Sequence, residues 1–137
     1  MPLVLAHRGA NKVAPQNTLP AFLKAIQFNA DGIETDVHLS KDGHIVICHN
    51  YTIDETSNGT GRVDEMTLSQ LKGFDFGSYF SDEFKGVSLP TLSELLDLTK
   101  ISFCAAGKLK NEKTYKKIFL RLIREDSPKL LWNDFMD

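Results

Sequence analysis

The first forty residues alternate between strand and helix signals, and this order constrains the fold more than any other feature. The apolar residues 3–6 end in His7-Arg8-Gly9 and predict a short buried strand. Asn17 or Thr18 can cap a helix over residues 19–30, where apolar side chains recur at helical spacing. Residues 33–39 predict a second strand. Strand, helix and strand in this order predict a βαβ unit and therefore an α/β protein.

A turn signal, Asp42-Gly43, lies between two strand-like runs and predicts a β-hairpin. A two-residue turn would place Asp36 opposite His49, on the same strand face as Glu34. A three-residue turn would shift the register by one residue and place His49 on the other face. Local geometry leaves both registers open.

The remaining segments predict a loop, two helices and a further strand. Residues 50–66 are rich in turn residues and predict a long surface loop. Thr91, with Glu94 three residues later, forms a capping box that begins an amphipathic helix. Residues 101–106 predict a strand, and an apolar stripe over residues 115–123 predicts a basic helix.

Composition and charge narrow the class of protein. The chain has 137 residues, of which 42% are hydrophobic and 25% charged, with a formal net charge of −2, as in an ordinary soluble domain. The near-neutral charge argues against nucleic-acid binding, and no apolar run is long enough to span a bilayer. The start lacks a signal-peptide pattern, and two cysteines, Cys48 and Cys104, are too few for a disulfide framework. A cytoplasmic location is therefore expected.

Five polar residues at or near strand ends could carry chemistry: His7, Arg8, Glu34, Asp36 and His49. Two carboxylates at alternate positions of one strand can bind a hard divalent cation. Histidines at two strand ends can supply a general acid and a general base, and an arginine offers a planar fork to a phosphate. Taken singly, each feature is more typical of the solvated end or face of an ordinary strand.

Taken in order along the chain, the motifs are far more specific. They are His7-Arg8-Gly9, Pro15-Gln16-Asn17-Thr18, Glu34-x-Asp36, Lys41-Asp42-Gly43, His49, Asn58-Gly59-Thr60-Gly61 and Leu89-Pro90-Thr91-Leu92. Together, over residues 3–98, they resemble the glycerophosphodiester phosphodiesterase family, within the wider group of phospholipase-C-like phosphodiesterase barrels. The resemblance implies a TIM-barrel type (β/α)8 fold and hydrolysis of glycerophosphodiesters to glycerol 3-phosphate and an alcohol.

The resemblance also implies a role for each candidate residue. His7 and His49 would be the acid–base pair, and Arg8 would contact the substrate phosphate. Glu34 and Asp36 would be ligands of a divalent cation, Mg2+ or Ca2+. The expected partner is a small-molecule glycerophosphodiester, whose alcohol head group the sequence does not identify.

The chain departs from the family's pattern at several positions. Gln16 stands where the family usually has Glu, a change expected to affect the loop more than the chemistry. Asn50 replaces an acidic residue after the second histidine, and Glu55 replaces an arginine. The family's third metal ligand is the Glu of a Glu-x-Lys motif on the next strand, and the acidic candidate for it here is Glu112.

Length and charge predict that only part of a barrel is present. A complete (β/α)8 barrel needs about 250 residues, so 137 residues supply roughly its first half. Residues 1–99 carry a net charge of −6, whereas residues 100–137 carry +4. We therefore divide the chain into the N-terminal part of a phosphodiesterase domain, residues 1–99, and a divergent, basic and largely helical segment, residues 100–137. A truncated, frameshifted or rearranged gene would explain both observations.

Two alternatives to an active glycerophosphodiesterase stay open. One is a catalytically inactive remnant or interaction module of the same fold, since the Glu-x-Lys motif and half of the barrel are missing. The other is a metal-dependent phosphodiesterase that acts on another phospholipid head group. The open sheet edges of a half-barrel also predict self-association.

Overall fold

The computed structural model describes residues 4–105, 117–122 and 129–133, and its strands form one sheet. In chain order the helices and strands are β1 (Leu5–His7), α1 (Leu19–Gln27), β2 (Gly32–Leu39), β3 (Ile45–Ile47), α2 (Leu68–Leu71), α3 (Leu92–Ala105), β4 (Lys117–Leu122) and β5 (Lys129–Asn133). Two short 3-10 turns, Val63–Glu65 and Asp82–Phe84, flank α2.

The strand β2 lies at the centre of this sheet. β1 and β4 run parallel to it, β3 pairs with it antiparallel, and β5 pairs antiparallel with β4. Because β1 and β2 are parallel and joined by α1, the predicted βαβ unit is confirmed.

The helix α1 begins at the predicted cap and covers the sheet. Thr18 is its N-cap residue, and Pro20 lies in the first turn, where a missing N–H costs little. Phe22 and Ile26 are buried in the main core with side chains of β2 and α3. None of the helices in the described part of the chain has the length and apolar character needed to cross a membrane.

The β2–β3 hairpin takes the register of a three-residue turn. Val37 pairs with Ile47 and Leu39 with Ile45, which a two-residue turn would not allow. Gly43 has a φ of 85°, the left-handed conformation that ends many three-residue hairpin turns and that glycine adopts without strain. Of the two registers left open by the sequence, the structure therefore has the shifted one.

Residues 50–66, predicted to be a surface loop, contribute to a second hydrophobic core. Ile53 and Val63 are fully buried there, together with side chains of β3 and α2. The surface prediction was wrong for these positions because turn residues determine the path of the chain, not which apolar side chains between the turns are buried.

The structure contradicts two predictions near the end of the chain. The helix α3 continues through Ala105, where a strand was predicted over residues 101–106. The strands β4 and β5 lie in the segment 100–137 that was predicted to be largely helical. A strand inside a sheet can be apolar on both faces, so its sequence need not show a clean period of two. The division at residue 99 itself stays a prediction.

Candidate active site

The carboxyl end of β1 lies beside the first half of β2, and this pairing brings four of the predicted residues together. His7 is in register with Glu34, and the backbone N–H of Arg8 donates to the carbonyl oxygen of Glu34 at 2.7 Å. Nε2 of His7 lies 3.7 Å from Oε2 of Glu34, and Nε of Arg8 lies 3.7 Å from Oδ2 of Asp36. Parallel pairing of the two strands thus creates a cluster of two basic and two acidic side chains.

These four side chains range from exposed to fully buried. The side chain of His7 is 60% exposed, whereas that of Asp36 is 0% exposed. Arg8 and Glu34 lie between these extremes. Because His7 is the most exposed and Asp36 the most buried, a ligand that approaches from solvent meets the imidazole before the buried carboxylate.

The backbone at Arg8 has an uncommon conformation that directs its side chain. Arg8 has a φ of 57° and Gly9 a φ of 80°, so two consecutive residues are left-handed. A non-glycine residue held in this way costs on the order of 1–3 kcal/mol, and such residues cluster at functional sites. Nη1 of Arg8 donates to Oε1 of Gln16 at 2.5 Å, whereas the buried Nε makes no hydrogen bond within the described part of the chain.

Gln16 was expected to affect the loop, and the structure places it in contact with the candidate site instead. Besides accepting from Arg8, it lies within hydrogen-bonding reach of Tyr79, a residue of the segment between α2 and α3. Burial raises the pKa of the Tyr79 hydroxyl, and the hydrogen bonds with Gln16 oppose that shift. A residue more than sixty positions away in sequence thus reaches the site, which no local signal indicated.

Asp36 has a carboxylate oxygen that no described hydrogen bond satisfies. Its Oδ2 accepts from Nδ2 of Asn17 at 3.2 Å, whereas the buried Oδ1 has no hydrogen-bond partner among the described residues. Burying a carboxylate oxygen without a partner is costly. The oxygen donors of Glu34 and Asp36, two positions apart on β2, fit a hard divalent cation, and such a cation would satisfy Oδ1.

The third predicted metal ligand, Glu112, lies outside the described residues. Within the part of the chain that the structure describes, no group of three His, Cys, Asp or Glu side chains is arranged to hold a metal ion. The described residues therefore supply two carboxylates of a candidate cation site.

Asn17 is a site residue whose role sequence reasoning missed. It is 4% exposed, has a φ of 55°, and bonds to Asp36 through its amide nitrogen. Its Oδ1 accepts from Oγ1 of Thr35 at 2.7 Å, and its backbone N–H donates to the carbonyl oxygen of Arg8 at 2.9 Å. The sequence offered Asn17 or Thr18 as the cap of α1. Asparagine adopts left-handed φ more readily than most residues, and this was the one sequence signal that Asn17 could have a role other than capping α1.

His49 lies just beyond β3, beside the stretch of β2 that carries Asp36. The N–H of Cys48 donates to the carbonyl oxygen of Asp36 at 3.1 Å, so the chain stays beside β2 up to this point. His49 lines a small cavity with Gln16 and Asn17. The hairpin register was expected to turn His49 to the other face, but His49 follows the last paired residue, so strand alternation no longer determines its direction. His49 is connected to the other four residues indirectly: Gln16 and Asn17, which line this cavity, hydrogen-bond to Arg8 and Asp36.

A family model and a curated relative match most of the chain. The family model described as the Glycerophosphoryl diester phosphodiesterase family matches residues 7–127. The glycerophosphodiester phosphodiesterase of Caldanaerobacter subterraneus subsp. tengcongensis is 49% identical over 96 residues, which are 70% of this chain and 40% of that protein. The chain thus spans about 40% of the length of this curated relative.

Two solved structures show the same fold. The crystal structure of a glycerophosphodiester phosphodiesterase from Agrobacterium tumefaciens matches with a TM-score of 0.73 and 36% identity, over 89% of this chain and 47% of that one. An Oleispira antarctica phosphodiesterase, in complex with the product sn-glycerol-3-phosphate, matches with a TM-score of 0.77 and 32% identity, over 90% of this chain and 45% of that one. The predicted fold class is confirmed: the chain folds as about half of a TIM-type α/β barrel, with an open sheet.

Proposed function

The chain belongs to the glycerophosphoryl diester phosphodiesterase family, and from that premise we propose that its site hydrolyses glycerophosphodiesters to glycerol 3-phosphate and an alcohol. The observation that carries the proposal is the parallel pairing of β1 with β2, which places His7 against Glu34 and Arg8 against Asp36. The carboxyl ends of parallel barrel strands are where enzymes of this architecture keep their active sites.

Arg8 is the proposed contact for the substrate phosphate. A guanidinium presents several donors in one plane and can bind two oxygens of a phosphate at once. Its hydrogen bond to Gln16 orients the group without adding a negative charge beside it. The neighbouring acidic side chain is the buried Asp36, whose Oδ2 is 3.7 Å from Nε.

His7 and His49 are the proposed acid–base pair. In hydrolysis one of them removes a proton from the attacking hydroxyl, and the other donates a proton to the departing alcohol oxygen. The exposed imidazole of His7 is accessible to substrate, and His49 lines the cavity beside Gln16.

Glu34 and Asp36 are the proposed ligands of a divalent cation, Mg2+ or Ca2+, with Glu112 as the proposed third ligand. The support is the unsatisfied Oδ1 of Asp36 and the oxygen-only donor set. A cation bound there would neutralise phosphate oxygens and lower the pKa of a bound hydroxyl.

The test is release of glycerol 3-phosphate from glycerophosphocholine by the purified chain, with and without a chelator. We expect turnover that the chelator abolishes and that His7→Ala reduces by about 10²- to 10⁴-fold, the usual contribution of a general acid or base. The matched control is His44→Ala, which removes a half-exposed imidazole from the hairpin turn. No turnover from a folded sample would favour the alternative, a catalytically inactive remnant of the fold.

Two further proposals concern the setting in which the site works. The first is a role in glycerol and lipid metabolism, for which the support is the family, with a cytoplasmic location, for which the support is the buried free thiol of Cys48. The second is self-association, supported by the large exposed apolar side chains Val4 and Phe28, which line one surface pocket together with Ala6 of β1.

A further inference from the structure

Asn50 and Glu55 form a hydrogen-bonded chain that ends on His49. Nδ1 of His49 lies 2.6 Å from Oδ1 of Asn50. The amide of Asn50 hydrogen-bonds in turn to the carboxylate of Glu55, and this bond is the largest cause of a lowered pKa at Glu55. Oγ1 of Thr52 donates to the two oxygens of the same carboxylate, at 3.1 and 3.0 Å. The carboxylate of Glu55, at the far end of this hydrogen-bonded series, is therefore held in place.

The chemistry of these groups determines the direction of every bond in the chain. An ionised carboxylate can only accept hydrogen bonds, so the Asn50 amide must present its Nδ2 to Glu55. Its Oδ1 then faces His49, and an amide oxygen also only accepts. The proton in the bond at Nδ1 must therefore belong to the ring of His49.

We propose that Asn50 and Glu55 are positioning residues that hold neutral His49 in the tautomer with its proton on Nδ1. Nε2 then carries the lone pair, and Nε2 is the nitrogen that exchanges a proton with the substrate or with water. When Nε2 takes a proton from a hydroxyl, that O–H bond breaks, an N–H bond forms, and the Nδ1–H bond to Asn50 stays intact. The inference deepens the proposed function and rests on it.

Both Asn50 and Glu55 are needed to select one tautomer of His49. Asn50 alone could rotate its amide by half a turn and offer Nδ2 to the ring, which would favour the opposite tautomer. Glu55 removes that freedom, because a rotated amide would place an oxygen against its carboxylate. The negative charge of Glu55 thus selects a tautomer at His49 without contacting the ring.

The test is the two-bond proton–nitrogen NMR spectrum of nitrogen-labelled histidine, recorded without substrate above the titration range of the imidazole. We expect the His49 ring of the wild-type chain to show a protonated Nδ1 and an unprotonated Nε2. In Asn50→Leu the proton should move mainly to Nε2. In Glu55→Gln the ring should show a mixture, since a glutamine amide can either donate to or accept from Asn50.

The matched control is Glu65→Gln, which removes the same charge from an exposed residue that is not part of the hydrogen-bonded series His49–Asn50–Glu55. It should leave the His49 pattern unchanged, and the ring signals of His38 and His44 in the same spectra show whether each variant is folded. A wild-type ring protonated on Nε2, or an unchanged pattern in Asn50→Leu, would overturn the inference. Because the spectrum needs no turnover, a failure of the proposed function is seen separately, in the glycerol 3-phosphate assay.

Discussion

Arg8, the proposed phosphate contact, donates to a neutral acceptor, Gln16, which does not neutralise its positive charge. We expect Gln16→Glu to raise the Kd for glycerol 3-phosphate about tenfold, a loss of about 1.4 kcal/mol. The added carboxylate would pair with Arg8 and repel the ligand. Isothermal titration of the chain with glycerol 3-phosphate measures the change.

The matched control for this prediction is Gln27→Glu, which adds the same charge at an exposed position on α1. If both variants weaken binding equally, the effect comes from net charge rather than from the pair with Arg8. If Gln16→Glu leaves the affinity unchanged, Arg8 is not the phosphate contact.

His38 is buried, and it makes folding stability depend on pH. Burial lowers the pKa of its imidazole from the ordinary value of 6.5, opposed by a hydrogen bond to the carbonyl of His49 and by the charge of Asp36. As pH falls below about 6.5, the unfolded chain takes up the proton first, so the free energy of unfolding decreases. This loss continues down to the lowered pKa of the folded state, at no more than about 1.4 kcal/mol per pH unit.

Urea unfolding above and below pH 6.5 gives the free energy of unfolding of the wild-type chain and of His38→Gln. The difference between their pH dependences measures the contribution of His38. The wild-type chain should lose more stability on acidification than His38→Gln does. His44→Gln, which changes a half-exposed histidine, should keep the wild-type dependence. Equal pH dependence of the wild-type chain and His38→Gln would contradict the prediction.

At the scale of elements, two glycines with similar backbone angles have different surroundings. Gly9 connects β1 to the loop before α1, with a φ of 80°, and an added Cβ would lie 2.8 Å from Ala21. Gly43 ends the hairpin turn, with a φ of 85°, and an added Cβ would meet nothing within 4 Å. Gly43→Ala should therefore cost only backbone strain, about 1–2 kcal/mol. Gly9→Ala should cost about 2–5 kcal/mol, because a steric clash adds to the strain.

Urea unfolding of the two variants provides this comparison. Gly43→Asn serves as the control, since asparagine accepts left-handed φ more readily than alanine does, and it should recover part of the loss. Equal losses for Gly9→Ala and Gly43→Ala would show that the contact with α1 is not tight.

Sequence patterns predict some helices and strands of this protein and fail to predict others. The helix α1 and the capping box of Thr91 with Glu94 were predicted, because caps and apolar periodicity act within a few residues. The strand β4 was mistaken for helix because its place depends on β2, a strand some eighty residues earlier, and the place of β5 depends in turn on β4. The turn between β2 and β3 was predicted, but its length was not.

At the scale of the whole molecule, β1 is an edge strand of the sheet that the described residues form. Among the described strands, β1 pairs only with β2, and the nearby side chains Val4 and Phe28 are 63% and 67% exposed. We expect reversible self-association through this side of the sheet, because an unpaired strand edge beside exposed apolar surface favours pairing with another chain. Sedimentation equilibrium over a range of concentrations should show it.

The variant Phe28→Ser should raise the dissociation constant of that association about tenfold or more, as expected for loss of one buried aromatic side chain. Leu39→Ser is the control, because Leu39 is also exposed but lies at the far end of β2. A wild-type chain that stays monomeric at every concentration, or equal effects of the two variants, would exclude association through β1.

The sequence by itself determined the βαβ opening, the hairpin and the candidate residues His7, Arg8, Glu34 and Asp36. These follow from signals that act over a few positions, and from the parallel pairing that such a pattern requires. Only the tertiary structure decided the hairpin register and the partners of the site residues. Gln16 beside Arg8 and Asn17 beside Asp36 are contacts across space. Hydrogen bonds depend on distances of about 3 Å, which no spacing along the chain specifies.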